Sequence, residues 1–207
     1  MPPKARFTKE EIVKTAFDMT RENGFSSVTA RGLGNRLGSS STPVFTVFKN
    51  MREVQYEVRK LAMKEFEKYV ADATCYTPAF KQFGMQMIRF AKEEPQLFRI
   101  LYLEGYEEEQ TFYVMFEALG EQAKVCIDVI QNDYQVTPEE AKTIFRQTWI
   151  STFSICVLLV NKICYFSEEE IMDMLGLEFQ GTLMLIKSGQ YKKIGIASDT
   201  TKAPSEP

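Results

Sequence analysis

The run from Val28 to Asn50, VTARGLGNRLGSSSTPVFTVFKN, constrains the fold more than any other stretch of this chain. Two short helical segments flank Gly38, and each has its own start signal. Thr29 is placed to cap a helix over Ala30–Leu37 by accepting a hydrogen bond from a free N–H of the first turn. Gly38 makes the turn, because glycine adopts the left-handed conformation at little cost. Ser40 is placed to cap a further helix from Ser41 to Phe48, and Pro43 falls in its first turn, where a missing N–H costs nothing. A longer helix precedes the pair. It starts at the capping box Thr8-Lys9-Glu10-Glu11, continues through Ile12, Val13, Ala16, Phe17 and Met19 at helical spacing, and stops at Gly24. This is the order of a helix-turn-helix unit, which places its second short helix in the major groove of DNA. An ordinary three-helix core without a nucleic-acid partner is the alternative.

The same residues resemble a known family. Ile12 and Ala16, Gly24-Phe25, Thr29-Ala30-Arg31, Leu33, Leu37-Gly38, Ser40, and Val44-Phe45 through Phe48-Lys49-Asn50 carry the resemblance. Over residues 8–54 the chain is similar to the N-terminal DNA-binding domain of the TetR family of bacterial transcriptional regulators. It departs from the family at Leu33-Gly34, where an isoleucine-alanine pair is usual, and at Phe45, where a tyrosine is usual. Gly32 replaces a common acidic residue, and Thr20 a second aromatic. The resemblance implies phosphate contacts at Thr29, Phe45 and Lys49, with only packing left at Phe45 because the hydroxyl is missing. Ser41, Thr42, Pro43 and Thr46 lie on the expected exposed face of the third helix, where hydroxyls meet base edges and methyl or ring carbons meet a thymine methyl. Arg31 is placed to reach a base or a phosphate. Because residues 41–48 hold no Asn, Gln or Arg, selectivity is expected to rest on apolar contacts, Arg31, water and DNA shape. Lys4, Arg6 and Lys9 form either a basic arm or a solvated surface.

Gly32 and Gly34 interrupt a short helix, where each glycine costs roughly 1 kcal/mol relative to alanine. Either the backbone approaches the third helix or DNA closely there, or the helix is weak alone and tightens when packed or bound. Charge divides the chain in the same sense. Residues 1–70 carry 13 Lys and Arg against 8 Asp and Glu, whereas residues 71–207 carry 12 against 20. A basic segment on an acidic chain is an electrostatic footprint for phosphate.

Beyond residue 51 the pattern is helical throughout, with no alternating strand-like segment, so the expected class is all-α. The expected division is a DNA-binding domain over 1–51, a helical ligand-binding and dimerisation domain over 52–188, and a disordered tail over 189–207. Helices are expected over Arg52–Val70, from Thr77-Pro78 to Glu93, from Pro95 to Leu103, over Gln110–Asn132, over Thr137–Tyr165 and over Ser167–Ser188. The acidic stretch Glu104–Glu109 makes a break. Trp149–Val160 is apolar nearly all round but, at about 12 residues, is short of the roughly 20 needed to cross a bilayer. Such a helix is buried on several sides. The resemblance implies that the last two long helices pair with a second copy in a four-helix interface; an interior core of the monomer is the alternative. Phe153-Ser154 stands where some relatives have His-Gly.

The middle helices are rich in Phe83, Met87, Phe90, Phe98, Tyr102, Phe112, Tyr113, Met115 and Phe116. Together with Trp149 and Phe153 they supply either plain core or the wall of an apolar small-molecule pocket. The pocket reading selects Met87, Phe90, Phe98, Tyr102, Phe112, Phe116, Trp149 and Phe153. The chain has no histidine, so His-based triads and His zinc ligands are excluded. Cys75, Cys126, Cys156 and Cys164 lack metal-ligand spacing, and Cys156 and Cys164 read as reduced core thiols. No glycine-rich phosphate loop is present, and no catalysis, metal or cofactor is expected. There is no secretory apolar segment at the start, so a cytoplasmic location is expected.

These readings converge on a homodimeric transcriptional regulator, by resemblance a repressor, released from a near-palindromic operator by a small, largely apolar ligand. A helical protein-interaction module without DNA binding is the competing expectation.

Overall fold

The computed structural model describes residues 7–73, 79–104, 111–117 and 119–191. The protein is all-α, with no strand among the described residues. Helices α1 (Lys9–Asn23), α2 (Ala30–Arg36) and α3 (Thr42–Val47) form the head, with a 3-10 turn over Phe25–Ser27 between the first two. The body comprises α4 (Met51–Val70), α5 (Ala79–Glu93), α6 (Pro95–Tyr102), α7 (Phe112–Glu117), α8 (Gly120–Tyr134), α9 (Pro138–Val160) and α10 (Glu168–Lys187).

Start signals set these boundaries through hydrogen bonds. Glu11 N–H donates to Thr8 Oγ1 (3.1 Å) while Thr8 N–H donates to Glu11 Oε2 (2.8 Å), so two otherwise orphaned donors are satisfied. The same reciprocal box opens α9 with Thr137 and Glu140, and α10 with Ser167 and Glu170. Asn50 caps α4 by accepting from Glu53 N–H at 3.1 Å.

Two expected helices are corrected. The pattern over Gln110–Asn132 is divided into α7, which ends at Glu117, and α8, which starts at Gly120 and runs to Tyr134. The segment from Thr137 to Tyr165 stops at Val160. There Arg99 Nη2 donates to the Val160 carbonyl (3.0 Å) and to Asn161 Oδ1 (2.9 Å), and Asn161 Nδ2 donates back to the Val157 carbonyl (2.8 Å). These side chains satisfy the terminal carbonyls, and Lys162 then takes a left-handed φ of 54°. Cys164 is therefore exposed in the α9–α10 connection rather than a core thiol, whereas Cys156 is buried as expected. The third head helix is shorter than expected at both ends. The Thr77-Pro78 start, the Glu104–Glu109 break beyond Glu104, Cys75, Lys4, Arg6 and the tail beyond Tyr191 lie outside the described residues.

Head and body share one core. Ile12 and Ala16 of α1, Leu33 of α2, Val44 of α3, Val54 and Val58 of α4, and Phe90, Leu97 and Phe98 further along are buried in a continuous cluster. Full burial of each large apolar side chain contributes about 1.5–3 kcal/mol, so the head derives much of its order from α4. Farther along α4, Phe66 packs edge-on against Phe90 of α5 (5.1 Å) and Tyr102 of α6 (6.3 Å). A second cluster, around Ile130, Ala141, Ile144 and Trp149, joins α8, α9 and α10. Helix α9 has the length and mean hydropathy (1.4) to cross a bilayer, but it packs against α5, α8 and α10, and 44% of its most apolar window is buried.

Candidate functional site

Two sites emerge, one on the head and one inside the body. On the head, Thr29 Oγ1 accepts from Gly32 N–H at 3.0 Å and starts α2. Gly38 takes φ +68° at the turn, and Thr42 N–H donates to Ser40 Oγ (3.3 Å); the N-cap of α3 is Ser41 rather than the expected Ser40, and it makes no side-chain cap hydrogen bond. Gly34 separates the two readings of the helical glycines. A Cβ there would lie 2.3 Å from the Ser40 carbonyl oxygen and 2.9 Å from Ser41 N, both backbone atoms. The lead-in to α3 is thus seated directly on α2. At Gly32 the nearest atoms to an added Cβ are side-chain ones, Thr29 Oγ1 at 3.1 Å and Met19 Cε at 3.6 Å, so no comparable backbone contact exists.

This seating turns Val44 and Phe48 into the core and leaves Thr42, Phe45 and Thr46 exposed, with Ser41 and Pro43 half-buried. Phe45 is 50% exposed. Thr46 Oγ1 donates to the Pro43 carbonyl at 2.7 Å, which leaves its lone pairs and methyl for an outside partner. Thr29, Arg31 and Lys49 are also exposed. Neither the Arg31 guanidinium nor the Lys49 ammonium has a salt-bridge partner among the described residues. By contrast Lys9 is bound to Glu57 (2.8 Å) and Arg36 to Glu22 (2.6 Å), so Lys9 fastens α1 to α4. The carboxyl of Glu57 is held below its ordinary range by the hydrogen bond from Lys9. No carboxylate side chain occurs between Glu22 and Glu53, a stretch that contains Arg31, Arg36, Lys49 and Arg52.

Inside the body, α4, α5, α6, α8, α9 and α10 enclose a cavity of about 430 Å³. That lies within the range of about 300–1,000 Å³ typical of small-molecule sites. Of the expected pocket residues, Met87, Tyr102 and Trp149 line it. Phe90 and Phe98 do not; both are wholly buried in the main core. Phe153 stacks on Trp149 (5.0 Å, 11°), and Phe116 meets Trp149 edge-on (6.4 Å, 83°), so these two brace the indole from outside the lining. Phe112 sits 6.4 Å from Trp149 and is partly exposed.

Phe83 is singled out in the sequence as core or wall but not selected for the pocket; Phe145 and Phe179 in the wall are missed, as is the closure of one side by α10 through Met172, Gly176 and Leu183. A Cβ at Gly176 would meet nothing within 4 Å, as expected of a helical glycine facing open space. Polar groups are few. The hydroxyls of Thr148 and Thr152 are already donated to the Ile144 and Thr148 carbonyls, at 3.0 and 2.8 Å. The buried Cys126 thiol at the wall is pushed up to about 12 by desolvation, so it remains neutral at physiological pH.

Helix α6 touches both regions. Its Tyr102 lines the cavity, while Glu94 at its start binds Arg21 of α1. Arg59 Nη2 of α4 donates to the Leu101 carbonyl at the other end of α6 (3.0 Å).

No protein-family model matches the chain, and no curated protein matches it.

Proposed function

We propose that this protein is a cytoplasmic, ligand-responsive transcriptional regulator of the TetR type. It acts as a repressor that binds a near-palindromic operator as a homodimer and releases it when a small, largely apolar molecule fills the body cavity. The observation that carries the reading is the seating of α3 on Gly34, which leaves Thr42, Phe45 and Thr46 exposed on a carboxylate-free stretch that also holds exposed Arg31 and Lys49, neither with an ion-pair partner among the described residues. Arg31 and Lys49 supply phosphate attraction, and the hydroxyls and methyls of α3 supply groove contacts.

The outer face of α10 supports dimerisation as part of this reading. Met174, Leu177 and Met184 are exposed at spacings of three and seven residues, with Gly181 between the last two. Ile171, Leu175, Phe179 and Ile186 face inward, so the helix is apolar on two faces. A second copy covering the outer face would bury the row and set two heads one helical turn of DNA apart, or a multiple of it. Release requires a ligand that binds two arrangements of the body with different affinity. The eight-residue α6 connects Tyr102 at the cavity to Glu94 against α1 and is short enough to move as a unit.

The half-exposed Phe45 favours a second reading, a head that docks on another protein. Selection of genomic fragments by the purified protein at two salt concentrations separates the two. Recovery of an inverted repeat whose binding weakens with salt supports the regulator, because phosphate contacts release counterions. A folded dimer that enriches no fragment, with or without extraction of bound small molecules, overturns it.

A further inference from the structure

The cavity is apolar, yet one cation reaches it. Lys81 of α5 is among its lining residues and is the only charged side chain there among the described residues. It has no ion-pair partner among the described residues, and no carboxylate among them lines the cavity. The wall also includes Phe83, Tyr134, Phe145, Trp149 and Phe179, with Tyr134 packed edge-on against Phe179 (4.9 Å). A cationic ligand entering this space would lose its hydration and meet a like charge with no counter-charge to compensate. A neutral one would gain nothing from the ammonium, which stays in water at the rim. An apolar body carrying one negative head satisfies both parts, the body filling the aromatic interior and the head meeting Lys81, whose exposure places it at the rim. The long lysine stem lines apolar surface while its ammonium stays hydrated until the head arrives.

We infer that the cavity selects amphipathic monoanions, apolar molecules with a single carboxylate-like head, and that Lys81 is the residue that reads the head. The inference rests on the ligand-responsive reading and narrows its ligand class. Because the contact is at a solvated rim, the preference is modest, about 3- to 10-fold in affinity.

Trp149 is the only tryptophan in the chain and lies in the cavity wall, so its fluorescence reports occupancy directly. The full chain is titrated below micelle-forming concentrations with decanoate, decan-1-ol and decyltrimethylammonium, which share one apolar body and differ in head charge. Decanoate is expected to bind best and the ammonium worst. Lys81→Gln is expected to remove the advantage of decanoate over decanol while decanol affinity is retained, and Gly176→Leu to block all three by filling the space. Equal affinities, a preference for the ammonium, or an unaltered decanoate advantage in Lys81→Gln overturns the anion inference and leaves the cavity as a ligand site. No response of Trp149 to any of the three overturns the inference and the ligand-responsive reading together.

Discussion

Arg21 of α1 grips Glu94 at the start of α6 with two hydrogen bonds, from Nε to Oε2 at 2.8 Å and from Nη2 to Oε1. The geometry is the bidentate fork that suits guanidinium and carboxylate. The two ends differ in environment: the Glu94 side chain is 8% exposed, the Arg21 side chain 46%. The hydrogen bond to Glu94 raises the Arg21 guanidinium above its already high ordinary value. The head is therefore clipped to the element that also reaches the cavity, by a pair whose acid has little water to fall back on.

Removing the arginine should cost more than a surface ion pair would. Arg21→Met leaves a nearly buried carboxylate without its partner, and because Arg21 is half in water, solvent recovers part of the loss. The expected destabilisation is about 1–3 kcal/mol, read from urea unfolding of the variant against the parent. Adding Glu94→Gln should restore part of it, since the unpaired charge is then gone. A cost under a few tenths of a kcal/mol would mean that the pair does not fasten the head.

Capping and periodicity were legible because they are local. Thr8-x-x-Glu11, Thr137-x-x-Glu140 and the glycine at position 38 specify hydrogen bonds and a backbone angle within four residues. The helix ends that went astray are set from a distance. The stop at Val160 depends on Arg99, sixty-one residues away in sequence, which no window around α9 reveals. The cavity was half legible for the same reason. Met87, Tyr102 and Trp149 stand out by residue type, but Phe90 and Phe98 look the same in sequence and are core. Which aromatic side chain lines a space and which fills the core depends on how α5, α6 and α9 are rotated against one another. The contribution of α10 was hidden because the resemblance gave that helix a single use, pairing with a second copy.

Two helical glycines should respond in opposite directions to alanine. Gly34→Ala puts a Cβ into the Ser40 backbone, which has no flexible end to move aside. Overpacking of this sort costs about 1–3 kcal/mol and exceeds the roughly 1 kcal/mol that alanine contributes to a helix. Gly176→Ala meets nothing and should be neutral or stabilising by up to about 1 kcal/mol. Thermal unfolding of both variants tests the contrast, and a stabilised Gly34→Ala would disprove the close seating of α3.

Leu177 is 77% exposed in the middle of the outer row of α10. If that row is the dimer face, Leu177→Glu places a charge in each copy opposite the other and should convert the protein to a monomer at micromolar concentration. Sedimentation velocity reads the change directly. Circular dichroism should stay the same, since Leu177 contributes little to the monomer core. An unchanged dimer would assign the interface elsewhere.

Tyr69 supplies a pH signature for the α4–α5 contact. Its hydroxyl donates to Glu93 Oε2 (2.8 Å), and burial, then this hydrogen bond, push its pKa up to about 12 from 10. A raised folded-state pKa means that the stabilisation is fully present below pH 10, where both states hold the proton. It is lost as pH rises from 10 towards 12, where the unfolded chain gives the proton up first. The melting temperature should therefore fall more steeply over pH 10–12 in the parent than in Tyr69→Phe. Parallel curves would remove Tyr69 from the alkaline limb.

The head makes the last distinction, between positioning and reading. Lys49 follows α3 in the chain, and no ion-pair partner neutralises it among the described residues, so its ammonium is free for a phosphate oxygen. Lys49→Ala should weaken binding to specific and scrambled DNA by the same factor and lower the slope of log affinity against log salt by about 1. Thr42 is exposed on α3, and its side chain carries no cation. Thr42→Val keeps the shape and removes the hydroxyl, so it should leave the salt slope alone and weaken only the selected sequence, by about 1–3 kcal/mol if that hydroxyl meets a base edge. Fluorescence anisotropy with both DNAs at several salt concentrations separates the outcomes. If Thr42→Val instead affects both DNAs equally, α3 is not the reading helix, and the sequence preference must come from Arg31 or from the deformability of the DNA.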